Sequence, residues 1–303
     1  MGPVEWILLL VLSLLWGGSF FFVEVAVAVV PPATLVLGRV AVGALVLWGL
    51  IIATRVEVPR TARDWRDLLV MGLLNNAIPF TLIVWGQQYI TGGLASVLNA
   101  ATPIFGVAVA HVLTDDEKAT PLKLLGLALG LGGVAVLVGP DALQGLGGDV
   151  WGQIAILGAA LSYAFAGVFG RRLRRFAPPM AAAGMLTGST LIMVPVALWR
   201  DGVPAALPGM APLLAWLALG LVSTGIAYIL YFRILATAGT TNLLLVTVLV
   251  PPSAILLGAL FLGEAVHLSL LAGLGLIMAG LAAVDGRLFD RLRPGRAAGE
   301  GAP

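Results

Sequence analysis

The sequence predicts an all-α polytopic membrane protein: ten transmembrane helices, arranged as two inverted five-helix repeats, with both termini cytoplasmic. Three observations carry this. The first is composition. Of 303 residues, 60% are hydrophobic and 11% are charged, and the mean hydropathy is +1.04. No water-soluble domain hides that much apolar surface. The second is spacing. Apolar spans fall at 5–25, 32–54, 68–88, 93–113, 121–139, 151–170, 179–199, 212–232, 242–262 and 267–285. Each has the length that crosses a hydrocarbon core about 30 Å thick.

The third observation is an internal repeat. Shifted by 147, Trp16 falls on Tyr163, Pro31-Pro32 on Pro178-Pro179, Glu117 on Glu264, Gly126 on Gly273 and Gly133 on Gly280. Shifted by 148, Gly72 falls on Gly220, Asn75-Asn76 on Ser223-Thr224, and Pro103 on Pro251. The fourth and ninth spans make the repeat plainest. Each opens on small turn residues, carries a proline near its middle (Pro103, Pro251) and ends before an acidic residue (Glu117, Glu264). A mid-helix proline removes a backbone donor and bends the helix. The first repeat is read as 1–139, an extracytoplasmic linker as 140–150, the second repeat as 151–286, and a basic tail expected to be disordered as 287–303. Because each repeat has an odd number of helices, the second copy enters the membrane from the opposite side. Inverted repeats of this kind suit alternating access around a site at the repeat interface.

Orientation follows from Lys and Arg. With the N-terminus inside, Arg55, Arg60, Arg63, Arg66, Lys118, Lys123, Arg171, Arg172, Arg174, Arg175, Arg233, Arg287, Arg291, Arg293 and Arg296 all face the cytoplasm. Outer loops then hold only Arg200, and Arg39 lies inside a span. The positive-inside rule selects this topology. The first span lacks a basic n-region and a cleavage site and is expected to be retained, which places the chain in the inner (plasma) membrane as a multi-pass protein.

Composition also excludes. There is no cysteine, hence no disulfide framework or thiol metal site, and two histidines (His111, His267) cannot form a His-rich centre. No metal or cofactor is expected. A net charge of +2 with basic residues at span ends implies no nucleic-acid partner. No phosphate-cradling P-loop pattern occurs, so nothing points to ATP. An intramembrane enzyme acting on lipid would need catalytic carboxylates, a cysteine or paired histidines, and none stands near a span centre.

Polar and aromatic residues near span centres are costly in lipid and mark an interior. They are Trp16 and Ser19; Asn75, Asn76, Pro79 and Phe80; Asn99, Thr102 and Pro103; Ser162 and Tyr163; Ser223, Thr224 and Tyr228; and Thr247, Pro251 and Ser253. Spans 1, 3, 4, 6, 8 and 9 would line one cavity, with spans 2, 5, 7 and 10 outside it. The candidate solute-binding set is Trp16, Ser19, Asn75, Asn76, Pro79, Phe80, Asn99, Thr102, Tyr163, Thr224 and Tyr228. Rings stack on a small amphipathic solute while neutral amides bond its ammonium or carboxylate. The alternative is helix–helix packing, in which Asn, Ser and Thr bond a neighbouring backbone. Gly17, Gly18, Pro103 and Pro251 are candidate hinges. Arg39 is assigned a structural or gating part, either binding a carboxylate or pairing with Glu24 or Glu264 at the outer side.

Two five-helix units, each with Trp16 or Tyr163 in its first helix, Pro103 or Pro251 in its fourth and Glu117 or Glu264 after it, resemble the ten-helix drug/metabolite transporter superfamily, the EamA-type exporters. The likeness covers about residues 5–285. It implies a transporter, and it is nearest to bacterial amino-acid exporters, including the aromatic amino-acid branch. Four-helix multidrug members of that superfamily carry a carboxylate in the first helix. Trp16-Gly17-Gly18-Ser19 stands there instead, which favours facilitated movement of a neutral or zwitterionic solute. The expected partners are a small-molecule substrate and the bilayer, with a monomer as the working unit.

Overall fold

The computed structural model describes residues 2–115, 120–139, 148–203, 206–243 and 245–285. Among these, nine helices are long and apolar enough to cross a membrane, and Leu268–Val284 is a shorter apolar helix. Span 1 is α1 (Pro3–Val27) and span 2 is α2 (Pro32–Thr54). Span 3 joins α3 (Ala62–Gly72) to α4 (Ile78–Gly86) through a π-helical turn, Leu73–Ala77. Span 4 is α5 (Gly92–Asn99) followed by α6 (Thr102–Leu113), and span 5 is α7 (Pro121–Val138). Span 6 is α8 (Gly148–Phe169) with a 3-10 run, Gly170–Arg175, and span 7 is α9 (Pro178–Arg200). Span 8 joins α10 (Met210–Gly220) to α11 (Ala227–Leu243) through a second π-helical turn, Leu221–Ile226. Span 9 is α12 (Leu245–Leu257) with the turn Gly258–Leu262, and span 10 is α13 (Leu268–Asp285).

Local chemistry sets the boundaries. Pro3, Pro32, Pro121 and Pro178 each open a helix, where a missing N–H costs nothing. Thr61, Thr91 and Thr120 cap α3, α5 and α7 by accepting from the backbone N–H of Asp64, Leu94 and Lys123. Gly239, at φ 77°, breaks α11 in a backbone region that disfavours side chains, and ends span 8 there.

Span 4 and the linker depart from expectation, and span 9 does not. Span 4 is not one bent helix: it divides at Ala100-Ala101, and Pro103 sits in the first turn of α6, where its ring fits. Span 9 does run through Pro251 and Pro252, so the two proline sites are not structurally equivalent. The expected linker at 140–150 gives up its last three residues to α8. Residues 140–147, the acidic-turn residues Asp116 and Glu117 with Lys118, and the tail 287–303 lie outside the described residues.

Small residues set the pairing of outer spans. A side chain at Gly126 would meet the Gly280 carbonyl oxygen at 2.6 Å, and one at Gly133 the Gly273 carbonyl oxygen at 2.8 Å. These are the glycines that the repeat superimposes, so spans 5 and 10 cross antiparallel on their own repeat mates. Gly188 lies against Leu69, where an added Cβ would stand 2.8 Å from its Cα, and Gly184 lies against Leu68, which brings span 7 onto span 3. Span 2 is held to span 8 by Gly43 against Thr224, Gly220 against Val42, and Gly225 against Val46. The Trp216 Nε1–H donates to the Leu35 carbonyl at 2.9 Å and the Trp48 Nε1–H to the Thr187 hydroxyl at 2.9 Å. Asp201, beyond span 7, accepts from the Thr34 backbone N–H at 2.7 Å and its hydroxyl at 2.9 Å, capping α2 from another element.

The ends are tied differently. At one, Arg175 bridges Asp64 at 2.9 Å and the buried Asp67 at 2.8 Å, joining spans 3 and 6. At the other, spans 1, 4 and 9 meet. The Gly92 N–H donates to Glu24 at 2.7 Å and the Gly93 N–H to Glu264 at 3.0 Å, so two carboxylates from different spans sit on the N-terminus of α5. The Gln87 side chain donates to the Phe20 carbonyl at 2.9 Å beside them.

Gly133→Leu is expected to lower the melting midpoint of detergent-solubilised protein, since overpacking costs about 1–3 kcal/mol. Gly132→Leu, at a position where an added Cβ meets nothing within 4 Å, is expected to leave it unchanged. A second expectation concerns the α5 contact. The chain has no cysteine, so Ala95→Cys in buried α5 gives a single maleimide target. Adding Glu24→Ala and Glu264→Ala should speed its labelling about tenfold, the factor that about 1.4 kcal/mol of lost closure represents. Equal rates would show that the carboxylates do not hold this end shut.

Candidate functional site

The two π-helical turns occupy repeat-related places: Leu73–Ala77 in span 3 and Leu221–Ile226 in span 8. A π turn widens a helix by one residue and frees a carbonyl, and such turns concentrate at functional sites. In span 3 the cause is visible. Pro79 has no N–H for the Asn75 carbonyl, and the Ile78 N–H instead reaches back to Leu73. The Leu74 carbonyl is taken by the Ser162 hydroxyl from span 6 at 2.7 Å. In span 8 the Thr224 hydroxyl donates to the Leu219 carbonyl at 2.9 Å, five residues back.

These turns aim side chains at one point, and Arg39 occupies it. Close approach of span 2 to span 8 carries Arg39 into the bundle, where it is 6% exposed. Its Nε–H donates to the Thr224 hydroxyl at 3.1 Å. Its guanidinium carbon lies 3.7 Å from the Phe80 ring centroid. Tyr163 and Tyr228 are near enough to interact with it electrostatically. The Tyr228 hydroxyl faces Asn75 and Asn76. Asn76 is fully buried, and neither end of its amide makes a well-formed hydrogen bond. Phe80 and Tyr228 are repeat mates, as are Asn76 and Thr224. The cluster therefore straddles the interface between the two halves.

Of the candidate residues, Asn75, Asn76, Phe80, Tyr163, Thr224 and Tyr228 come together here, and Pro79 shapes the turn that holds Asn75 and Asn76. Asn75 also donates to the Met185 sulfur at 3.7 Å. Trp16 packs with Leu9, Leu12 and Val246 and connects indirectly. Its ring lies 5.8 Å from that of Tyr231, which lies 6.3 Å from Tyr228. Ser19 donates to the Trp16 carbonyl at 2.6 Å and is occupied within its own helix. Asn99 and Thr102 stand at the break in span 4, where the Thr102 hydroxyl donates to the Asn99 carbonyl at 2.7 Å and the Asn99 side-chain oxygen is buried without a partner. α1 runs unbroken through Gly17 and Gly18, and Gly17 serves here as a contact, with an added Cβ only 2.7 Å from the Ser253 Cβ.

Arg39 departs most from expectation. It does not lie outside the central helices, and it pairs with neither Glu24 nor Glu264, whose oxygens serve α5. None of its contacts among the described residues is a carboxylate. A mid-helix arginine costs about 2.5–3.5 kcal/mol to insert. A desolvated cation–π contact offsets about 2 kcal/mol, and one charged hydrogen bond about 1.5–3 kcal/mol. The charge can thus stay buried in the empty protein. Yet only Nε is hydrogen-bonded among the described residues, and a guanidinium carries donors on both terminal nitrogens as well. The arrangement can take up an anionic or strongly accepting group. Residue spacing did not single out Tyr231, although it lies three after Tyr228 on the same helix face. The π turn of span 3 had its signal in Pro79, whereas that of span 8 had none.

Residues 4–139 and 150–284 match the EamA-like transporter family. The chain is 26% identical over 271 residues to the "Uncharacterized transporter YoaV" of Bacillus subtilis, covering 89% of this chain and 92% of that one. It is 26% identical over 260 residues to the "Uncharacterized inner membrane transporter YedA" of Escherichia coli K12, covering 84% and 82%. It is 28% identical over 284 residues to a "Probable amino-acid metabolite efflux pump" of Salmonella typhimurium, covering 90% and 92%. A solved crystal structure superposes with a TM-score of 0.68 at 21% identity, covering 96% of this chain and all of the other, a likeness of fold. With both halves matched and the helices of a two-repeat bundle in place, this chain belongs to the EamA-like transporter family of the drug/metabolite transporter superfamily and is a multi-pass inner-membrane transporter.

Proposed function

We propose that this transporter exports small amphipathic metabolites, amino acids with aromatic or neutral side chains first, by alternating access through the repeat interface and without ATP. One observation carries it: repeat-related aromatic and amide side chains (Phe80 with Tyr228, Asn76 with Thr224) meet around one point between the halves. Rings there suit an apolar side chain, and the amides and guanidinium suit an amino acid's polar end. The relative named as an amino-acid metabolite efflux pump supports the same substrate class. The working unit is the monomer, with the Lys- and Arg-rich ends in the cytoplasm. Pro251 and the division at Ala100-Ala101, next to Pro103, are the places where spans 9 and 4 can bend between states.

A second reading has its own observation. The carboxyl groups of Glu24 and Glu264 lie within hydrogen-bonding reach of each other, a place where one proton can be held between them. That arrangement suits a proton-coupled exporter of another neutral metabolite, such as a nucleoside or sugar derivative.

Counterflow in proteoliposomes separates the two. Vesicles loaded with unlabelled amino acids should take up labelled phenylalanine without any pH gradient. Tyr163→Ala and Tyr228→Ala should each raise KM about tenfold, the equivalent of about 1.4 kcal/mol of lost ring contact. Trp16→Ala, one ring further away, should cost less. Uptake that needs an imposed pH gradient, and that Glu24→Gln makes gradient-independent, would favour the second reading.

A further inference from the structure

We infer that Arg39 is the specificity-determining anchor of the transport site, and that it takes the carboxylate of the solute. The inference deepens the proposed amino-acid transport and rests on it for the site's role, but its chemistry requires only a carboxylate.

Four observations converge. Arg39 is buried at 6% exposure with no carboxylate among its contacts in the described residues. Its Nε is committed to Thr224 and its face to Phe80, which fixes the plane of the guanidinium and leaves the edge formed by the terminal nitrogens unbonded among the described residues. That edge is the one with the fork geometry that accepts a carboxylate through two parallel hydrogen bonds. One turn before Phe80 on the same helix face, the fully buried Asn76 amide faces the Tyr228 hydroxyl but makes no well-formed hydrogen bond. Buried polar groups are ordinarily satisfied, so an amide this poorly bonded in the same cluster as an unsaturated cation marks a place that a ligand completes. The repeat sharpens the point. Arg39 shifted by 147 falls on Leu186, so the charge occurs once, whereas Asn76, Phe80, Thr224 and Tyr228 occur as repeat pairs around it. A purely structural guanidinium would be expected to use its donors on backbone carbonyls or on Asp and Glu, as Arg175 does with Asp64, Asp67 and the Arg172 carbonyl.

The carboxylate could belong to an amino acid or to an organic acid without an amine. In the first case Asn76 and the tyrosine hydroxyls remain to meet the ammonium group. In the second they bond a keto or hydroxyl oxygen. Both use the same arginine edge.

Uptake and competition should be measured in proteoliposomes with phenylalanine, phenylpyruvate, phenylalaninamide and phenethylamine, using wild-type protein, Arg39→Lys and Arg39→Gln. Each variant is first checked for a monodisperse elution profile and a wild-type melting midpoint. The wild type should transport solutes with a carboxylate and reject phenethylamine and the amide by at least about tenfold in KM, a step of about 1.4 kcal/mol. Arg39→Gln should raise KM for the carboxylate solutes about a hundredfold, two such steps. Arg39→Lys, which keeps the charge but loses the fork, should fall between them. The selectivity change is the readout that a merely structural arginine would not give, because loss of packing slows every solute alike. If Arg39→Gln misfolds, Asn76→Ala and wild-type selectivity between acid and amide carry the test. Transport of phenylpyruvate but not phenylalanine would remove the amino-acid proposal and keep this one. Equal transport of acid and amide by the wild type, an unchanged acid KM in folded Arg39→Gln, or no transport of either acid by folded wild type would each overturn it.

Discussion

Within a bilayer no water is available to a freed backbone group, and the rest of this bundle follows from that constraint. A helix can be bent, widened or broken in hydrocarbon only where another protein group takes the carbonyl or N–H released. The two π turns and the start of α5 have such partners. The π turn of span 3 has Ser162 on the Leu74 carbonyl, and that of span 8 has Thr224 on the Leu219 carbonyl. The Ser189 hydroxyl donates to the Gly72 and Met185 carbonyls where spans 3 and 7 touch. The free N–H groups at the start of α5 have Glu24 and Glu264. Serine, threonine and glutamate therefore stand where the backbone departs from a plain α-helix. Those departures in turn decide which side chains point into the centre.

The same reasoning separates two kinds of polar residue that look alike in the sequence. Ser19, Thr102, Ser162 and Ser253 spend their hydroxyls on carbonyls of their own or an adjacent span. They belong to the helix-packing alternative. Asn76, Asn99 and Gln153 keep buried polar atoms without a well-formed hydrogen bond among the described residues. A mid-membrane position is thus a poor guide to function on its own. What distinguishes a binding group is that the fold has not already satisfied it.

Architecture was legible from the sequence because hydropathy and repeat are properties of whole segments. Ten spans, the two halves and the superposition of Gly126 on Gly273 and Gly133 on Gly280 all rest on patterns that survive an error of one or two residues. The site was legible only in part. The pairs Asn76 with Phe80 and Thr224 with Tyr228 were found because a four-residue spacing fixes a shared helix face. The place of Arg39 was not, because it depends on how closely spans 2 and 8 approach. That is set by Gly43, Gly220 and Gly225, whose importance appears only once their neighbours are known. The division of span 4 was missed for a related reason. Pro103 breaks the pattern of a single helix, but whether it kinks that helix or starts a new one depends on the residues packed beside it.

Symmetry holds at the edge of the bundle and fails at its centre. Two inverted halves built on one pattern place equivalent residues in both, the architecture that alternating access uses. The outer pair of spans 5 and 10 keeps that equivalence, glycine against glycine. The centre does not. Arg39 has Leu186 as its mate, Phe80 has Tyr228, and the divided span 4 answers to an unbroken span 9. A binding site made only of symmetric residues would present the same surface twice and could not tell one end of a solute from the other. Arg39, the one cation buried among the described residues, is held by Thr224 of one half and Phe80 of the other, and it gives the interface a polarity. Because it contacts both halves, a solute that neutralised it, as proposed above, would act on the contact between them.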